Sequence, residues 1–392
     1  MKKVTQKIYC VGVNDKNVDL FEGQYVVKNG MSYNSYVIVD EKIAVMDTVE
    51  KDFGEKWLEN VKEVLSGRKP DYLVVLHMEP DHSANIGLFL KEYPEVTVVG
   101  NDKIFTMISG FFGDMPIKNK LSLKDGETLS LGGRALRFIN APMVHWPEVM
   151  FCYDEEDKIL FSADAFGKFG AVEDDDIDLD DWKEEGRRYY IGIVGKFGVQ
   201  VQNVLKKAAA LDIQTICPLH GPVLKENLGF YLNLYNTWSS YEAEENGVLI
   251  AYTSVYGHTK QAAEILKNEL DALGVKAVLR DLARSDMSVA VAEAFKYSAV
   301  VFATTTYNGD IFPFMRDFIE RITERNFKKR TVAFIENGSW APMAKRVMTC
   351  MLECSKDLVV CENSVTVRSA LTEENKLALS ALANELKEKI SR

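Results

Sequence analysis

Tyr72-Leu73-Val74-Val75-Leu76-His77-Met78-Glu79-Pro80-Asp81-His82 is the stretch on which the fold turns. Its first five residues are an apolar run of strand length, which reads as a buried strand. The six that follow alternate histidine and carboxylate on the loop leaving the strand's C-terminal end, where open α/β architectures commonly bind ligands. Carboxylates buried this close together repel one another unless a cation compensates them. Further along, His145, Asp164 and His220 offer the same chemistry, so four of the chain's five histidines belong to one set. A single histidine in a turn is ordinary. Four gathered with three carboxylates point to a metal.

The rest of the composition fits an enzyme of two domains. At 392 residues the chain can bury two full cores. Its net charge of −11 argues against non-specific nucleic-acid binding, which needs clustered Lys and Arg. The one basic cluster, Arg325 with Lys328, Lys329 and Arg330, reads as a solvated helix end. The N-terminus carries charge without a following apolar stretch, unlike a secretory signal. No apolar run approaches the ~20 residues of a membrane span. The six cysteines form no CxxC pair, so no iron–sulfur relay is built in, and a cytoplasmic, reducing location is expected. Cys350 and Cys354, four apart on an expected helix, read as buried small hydrophobes.

Two halves differ in grammar. Residues 22 to about 170 alternate short β-like runs with turns. Strands are expected at 24–27, 36–39 and 41–47, with a hairpin formed by 149–153 and 159–162. Helical patterns fall near 52–66 and 102–112, and the acidic segment Glu173 to Asp181 reads as a solvated loop. From Gly247 onward the pattern becomes regular β-α alternation, with strands expected at 247–253, 276–281, 298–304, 330–336 and 357–361. Thr372 is a plausible N-cap for a last helix carrying Leu379, Leu382, Leu386 and Ile390 at helical spacing. Five such units make a small doubly wound parallel sheet. The polar stretch Ser239 to Asn246 is the expected boundary, dividing the chain into 1–245 and 246–392.

Glu79 bears on which metal is held. Metallo-β-lactamase-type hydrolases have histidine at the matching position, giving a nitrogen-rich site suited to zinc. Here one group would be His77, Glu79 and His145, the other Asp81, His82 and His220, with Asp164 as a bridge. Nitrogen and oxygen donors without thiolate suit non-haem iron or manganese. Ligand type alone leaves zinc open.

The second half carries a nucleotide-type edge. Thr253-Ser254-Val255-Tyr256-Gly257-His258-Thr259 follows its first strand and opens a helix, with no GxGxxG and no Walker lysine. Hydroxyls and backbone N–H groups at a helix N-terminus hold a terminal phosphate without a cationic side chain, which suits a mononucleotide. His258 is expected to line this loop and not to bind metal. Thr304-Thr305-Thr306-Tyr307-Asn308-Gly309 follows the third strand and Glu336-Asn337-Gly338-Ser339-Trp340 the fourth, at the same sheet edge. They supply hydroxyls, flexible backbone and aromatic surface for an isoalloxazine ring, with Trp340 on the flavin side.

Together these motifs resemble the flavodiiron proteins (A-type flavoproteins), whose H-x-E-x-D-H, H, D, H pattern is filled here in order. The resemblance spans essentially the whole chain. It implies an N-terminal metallo-β-lactamase-like αββα sandwich followed by a flavodoxin-like doubly wound parallel sheet. It implies two non-haem irons, one held by His77, Glu79, His145 and Asp164, the other by Asp81, His82, Asp164 and His220. FMN would sit on Ser254 to Thr259, Thr305 to Gly309 and Asn337 to Trp340. The implied activity is reduction of O2 to water, of NO to N2O, or both, with Glu79, Asp164 and Trp340 at the reacting centre. Electrons would come from a separate donor, commonly rubredoxin. The implied assembly is a head-to-tail homodimer, or a tetramer built from it, in which each flavin faces the partner's irons. The competing reading from the residues is a zinc hydrolase with an appended flavodoxin.

Overall fold

The computed structural model describes residues 1–172 and 177–391. They form two compact units, Met1–Tyr190 with Val199–Asn236, and Ile191–Gly198 with Thr237–Arg392.

In the first unit, one sheet runs in spatial order Lys2–Lys3, Ile8–Cys10, Tyr36–Val39, Ile43–Met46, Tyr72–Val74, Thr97–Gly100 and Asn119–Ser122. Its pairs are antiparallel as far as Ile43–Met46 and parallel beyond it. The change follows the connections. Helix Gly54–Leu65 crosses over between Ile43–Met46 and Tyr72–Val74, and parallel neighbours require such a crossover. The second sheet runs Thr128–Ser130, Ala135–Asn140, Met150–Asp154, Ile159–Phe161 and Thr215–Cys217. Apolar faces of the two sheets meet, as where the Tyr36 and Phe161 rings pack edge-on at 5.3 Å between centroids. Helices close the outside. Trp57 of Gly54–Leu65 is fully buried and donates from Nε1 to Ser35 Oγ at 2.9 Å. The result is the αββα sandwich.

The main strands of the second unit's sheet are all parallel, in the order Ala277–Asp281, Glu245–Tyr252, Tyr297–Tyr307, Thr331–Asn337, followed by Val359–Val360 and Val365–Val367, with the short Asp310–Ile311 added antiparallel to Tyr297–Tyr307. Read by chain position this is 2-1-3-4-5, the flavodoxin order, which places its ligand edge at the C-terminal ends of the strands. Val248, Ile250, Ala299 and Val301 fill the core with Leu266 and Leu382 of the covering helices. The last helix, Glu373–Ile390, starts in a capping box at Thr372 and buries Leu379, Leu382 and Leu386.

Some sequence expectations need correction. The fifth strand of this sheet is broken in two. The Glu385 carboxylate accepts from the backbone N–H of Glu362 (2.7 Å) and Asn363 (2.9 Å), which removes those amides from the ladder. Tyr25–Val26 pairs with Leu20–Phe21 and not with Tyr36–Val39. Part of the acidic segment, 173–176, lies outside the described residues. Its remainder is not all loop, since Asp178 caps helix Leu179–Tyr189 and Asp180 and Asp181 occupy the first turn, where the helix dipole favours acid. Arg330 is no solvated helix end. It is buried, and donates to the carbonyls of Tyr241 (2.7 Å) and Phe295 (2.5 Å). Cys350 and Cys354 are exposed rather than buried, because helix Ala344–Met351 turns Ala344 and Met348 inward instead of Cys350, and Cys354 lies in the turn beyond its end. Among the described residues, no helix is long and apolar enough to cross a membrane.

Candidate metal centre and flavin edge

The strand Tyr72–Val74 ends where Asp47 reaches across. The Asp47 carboxylate accepts from the backbone N–H of Leu76 at 2.7 Å and of His77 at 3.2 Å, so the motif leaves the strand at a set angle. Pro80 at the first position starts the short helix Pro80–Ser83, which carries Asp81 and His82. Thr48 grips that helix by donating from both N–H and Oγ1 to the His82 carbonyl, at 2.8 and 2.7 Å.

His220 arrives from the other sheet on a loop held by three side chains of the segment 32–36. Ser32 Oγ accepts from Gly221 N at 2.6 Å, and Asn34 Nδ2 donates to the carbonyls of Pro218 and Gly221. The Tyr36 hydroxyl donates to the Pro218 carbonyl at 2.7 Å. His220 Nδ1–H donates to the Ser32 carbonyl at 2.7 Å, leaving Nε2 as a lone-pair donor pointing inward. His77 is oriented in the same way, giving Nδ1–H to Glu148 at 2.8 Å.

The seven ligand-type residues fall into two groups. His77, Glu79, His145 and Asp164 each offer an atom within 4.8 Å of the others, and so do Asp81, His82 and His220. Asp164 joins the two through its opposite oxygens. Its Oδ2 lies 3.2 Å from His145 Nε2 and 3.6 Å from His77 Nε2, while Oδ1 lies 3.2 Å from His82 Nε2 and 3.8 Å from His220 Nε2. Glu79 Oε2 stands 2.9 Å from His145 Nε2 and 3.2 Å from His77 Nε2. Asp81 Oδ2 stands 3.2 Å from His220 Nε2.

Three observations fit these groups to cations. Both Asp81 oxygens and Asp164 Oδ1 are buried and accept no hydrogen bond, a costly state for a carboxylate unless a cation meets it. His82 Nε2 and His220 Nε2 face each other at 3.0 Å, as two donors converging on one point do. Finally, His77, His145 and His220 are asked to carry positive charge. Burial pulls His145 down, but Asp164 and Glu79 outweigh it and push it up to about 9. His77 likewise sits well above its ordinary value, burial being overcome by Asp164, Glu148 and Glu79.

Sequence reasoning missed several residues here. Glu148 is fully buried, 71 positions from His77, and one of its oxygens holds both His77 Nδ1 and the Met78 N–H. Replacing it with Gln leaves the shape but removes the charge that orients and polarises His77. Outer partners of this kind are worth about 10–100-fold in metal affinity. For Glu148→Gln the expected result is a loss of that size in a chelator competition, with FMN content unchanged, and equal affinity to the parent would remove Glu148 from this role. Tyr189 was also missed. Its hydroxyl is buried without a hydrogen bond, and its ring packs 5.6 Å from that of His220. Burial and the nearby carboxylates of Asp164, Glu79 and Asp81 raise its pKa well above the phenolic value, so it keeps its proton.

In the second unit the three expected loops share the C-terminal edge of the sheet. Gly257 takes φ 93°, a left-handed turn suited to glycine, and donates its N–H to Ser254 Oγ at 3.1 Å. Helix His258–Ala272 then begins with no side-chain cap, so its first N–H groups remain free for an anion. Thr253 and Thr304 tie the first and third strands through their hydroxyls at 2.6 Å. The Thr306 hydroxyl accepts from the N–H groups of Met343 and Ala344, which ties this loop to the one after the fourth strand. Thr305 Oγ1 donates to the Asn337 carbonyl, while Asn337 Nδ2 donates to the Ser369 carbonyl at 3.1 Å. Ser369, with φ 68°, also donates Oγ to Ser339 Oγ at 2.7 Å, so the loop after Val365–Val367 is a fourth member of this edge. These side chains brace the loops, which leaves the aromatics for a ring. Tyr256 and Trp340 are each 90% exposed and Tyr307 is 44% exposed. Large aromatics standing in water at the strand ends mark a ligand surface. An uncapped helix whose preceding loop, Thr253 to Gly257, carries no lysine fits, beside them, a flavin mononucleotide.

Comparisons with known proteins agree with both units. Residues 31–221 match the family described as ODP family beta lactamase, and residues 249–358 match the flavodoxin domain family. A nitric oxide reductase of Moorella thermoacetica is 30% identical over 371 residues, spanning 93% of this chain and 92% of its own length. The crystal structure of the flavodiiron protein from Giardia intestinalis is 28% identical, with a TM-score of 0.93 over 100% of this chain and 97% of that one. Rubredoxin oxygen:oxidoreductase from Desulfovibrio gigas, 24% identical, shares the fold with a TM-score of 0.93 over 100% and 98% of the two chains. With both domain types present, near-complete coverage of a relative at that identity and ligand groups for two metals, the chain belongs to the flavodiiron proteins, oxidoreductases that combine FMN with a non-haem diiron centre.

Proposed function

We propose that this protein reduces O2 to water, NO to N2O, or both, at two irons held by the seven residues named above, with electrons relayed by FMN from a separate small donor of the rubredoxin type. The observation that carries the reading is Asp164, whose two oxygens each face a different histidine pair. A carboxylate so placed can bridge two cations. When bound, the irons supply a pair of redox-active positions for a diatomic gas, and FMN supplies electrons one or two at a time. The chain's own part is positional. Residues 1–245 serve as the diiron domain, with Glu79 and Asp164 setting charge at the irons and Tyr189 offering a hydroxyl hydrogen bond from a water-poor wall. Residues 246–392 serve as the FMN domain, with Ser254 to Thr259 at the phosphate and Tyr307 and Trp340 against the ring. Two chains assemble head-to-tail in the cytoplasm, so that each flavin serves the partner's irons.

Zinc hydrolysis is less favoured. Each metal group contains carboxylate as well as histidine, and a flavin edge has no part in hydrolysis. The purified protein is expected to hold about two irons and one FMN per chain. Stoichiometric zinc after growth with ample iron would overturn the diiron assignment, and FAD released on denaturation would overturn FMN. Anaerobic steady-state rates with each gas, driven by a reduced rubredoxin, rank O2 against NO.

A further inference from the structure

Thirteen methionines and six cysteines are spread over 392 residues, yet Met343, Met348, Cys350, Met351 and Cys354 fall within twelve consecutive positions. Met343 is the half-buried N-cap residue of helix Ala344–Met351, seven positions before Cys350, and Met348 is buried on it. The other three do not pack away. Cys350 and Cys354 are free and exposed, and Met351 is half-buried beside them. The remaining cysteines are unlike them, with Cys152, Cys217 and Cys361 buried and Cys10 only partly exposed.

The backbone keeps helical winding past the end of the helix. Leu352 N–H donates to the Met348 carbonyl at 3.2 Å and Glu353 N–H to the Cys350 carbonyl at 3.3 Å. Residues four and three apart on such a turn are surface neighbours, with Cβ atoms about 5–6 Å apart. Cys350 with Cys354, and Met351 with Cys354, are such pairs. The Cys354 thiol lies 3.9 Å from the Met351 carbonyl oxygen, so its side chain turns back toward the preceding turn, on which Cys350 and Met351 stand.

We infer that Cys350, Met351 and Cys354 form a surface site for one soft monovalent cation of the Cu(I) type, separate from the diiron centre. Two physical points select this occupant. A disulfide needs Cβ atoms about 3.8 Å apart, closer than an intact helical turn brings them, whereas a cation bridging two thiolates spans the longer gap. Zinc in a structural site wants four ligands, usually completed by histidine or a further cysteine. Among the described residues, the groups of three or more His, Cys, Asp and Glu able to converge on a metal are the two of the diiron unit, so no such ligand completes a zinc shell here. Two thiolates and a thioether are the donors that favour Cu(I). Binding converts both thiols to thiolates and releases their two protons to solvent, with no change of oxidation state.

The test uses the iron- and FMN-loaded protein, titrated with Cu(I) under anaerobic conditions against a chromogenic Cu(I) chelator, with X-ray absorption at the copper edge. One equivalent of Cu(I) should transfer to the parent protein and show a shell of sulfur alone. Cys350→Ser and Cys354→Ser should each lose that equivalent, Met351→Leu should keep it with one sulfur fewer, and Cys10→Ser should keep it unchanged. FMN content equal to the parent's verifies that each variant is folded. Cu(I) retained by both serine variants, no transfer from the chelator to the parent protein, or nitrogen in the copper shell would each overturn the assignment. Zn2+ held at one equivalent by the same pair, and not displaced by Cu(I), would overturn the choice of ion.

Discussion

Two inactive chains are expected to make one active dimer. If each flavin serves the partner's irons, a chain without its metal site (His77→Ala with Asp164→Ala) still presents a working flavin. A chain without its flavin loop (Thr259→Ala with Gly257→Trp) still presents working irons. The loop changes are severe for physical reasons. Gly257 sits at φ 93°, where a large side chain is strained, and Thr259 is buried in the first turn of the phosphate helix. Each homodimer should be inactive. The co-expressed heterodimer contains one complete centre out of two, so about half of the parent dimer's turnover is expected. Transfer within one chain would instead leave the heterodimer as dead as either parent. Tagged chains purified in tandem, with iron and FMN measured before the assay, separate these outcomes, and a correctly loaded heterodimer without activity rejects the cross-subunit arrangement.

The second large effect is expected at Glu79. Its Oε2 lies within 3.2 Å of the inward nitrogens of both His77 and His145, so it contributes negative charge where those two converge. Glu79→His replaces that charge by a neutral nitrogen and leaves Asp164 as the only carboxylate in the group. Preference should move from iron toward zinc. Iron affinity should fall by at least the 10–100-fold typical of a lost supporting partner. Gas reduction should be abolished while FMN stays bound, because the flavin loops lie in the other unit. Metal analysis and the flavin spectrum of the variant measure both halves of this expectation. Undiminished oxidase activity would show that Glu79 is not a ligand.

Much of this protein was legible from local pattern alone. The apolar run 72–76 followed by His77, Glu79, Asp81 and His82 is compact because side chains on the loop leaving one strand lie within a few residues of one another. The alternating β-α grammar after Gly247 and the capping signal at Thr372 are also local, governed by side-chain period and by unpaired helix amides. Fold class, the metal motif and the flavin-type edge were all written at this scale.

What tertiary structure alone decided are the partners a residue meets across the fold. Nothing near Glu148 in sequence announces that it orients His77, nor does anything around Ser32 announce its hold on His220. The Tyr189 hydroxyl gains meaning only from the wall it joins. Burial is equally non-local. Arg330 was read as part of a solvated helix end because the basic cluster is short and precedes a strand, yet the backbone carbonyls of Tyr241, Glu242 and Phe295, all from other segments, surround its guanidinium. Cys350 and Cys354 were read as buried, yet their helix packs through a different face. The fifth strand was expected at 357–361 alone, but Glu385, twenty-three positions beyond Glu362, claims that residue's amide and pairing resumes at Val365–Val367. Sequence by itself determined which elements form and which residue types stand at their ends, because backbone geometry and side-chain period act over a few positions. Which face is buried, and which distant carboxylate steadies which ligand, is an outcome of packing, where one residue's environment is supplied by segments tens to hundreds of positions away.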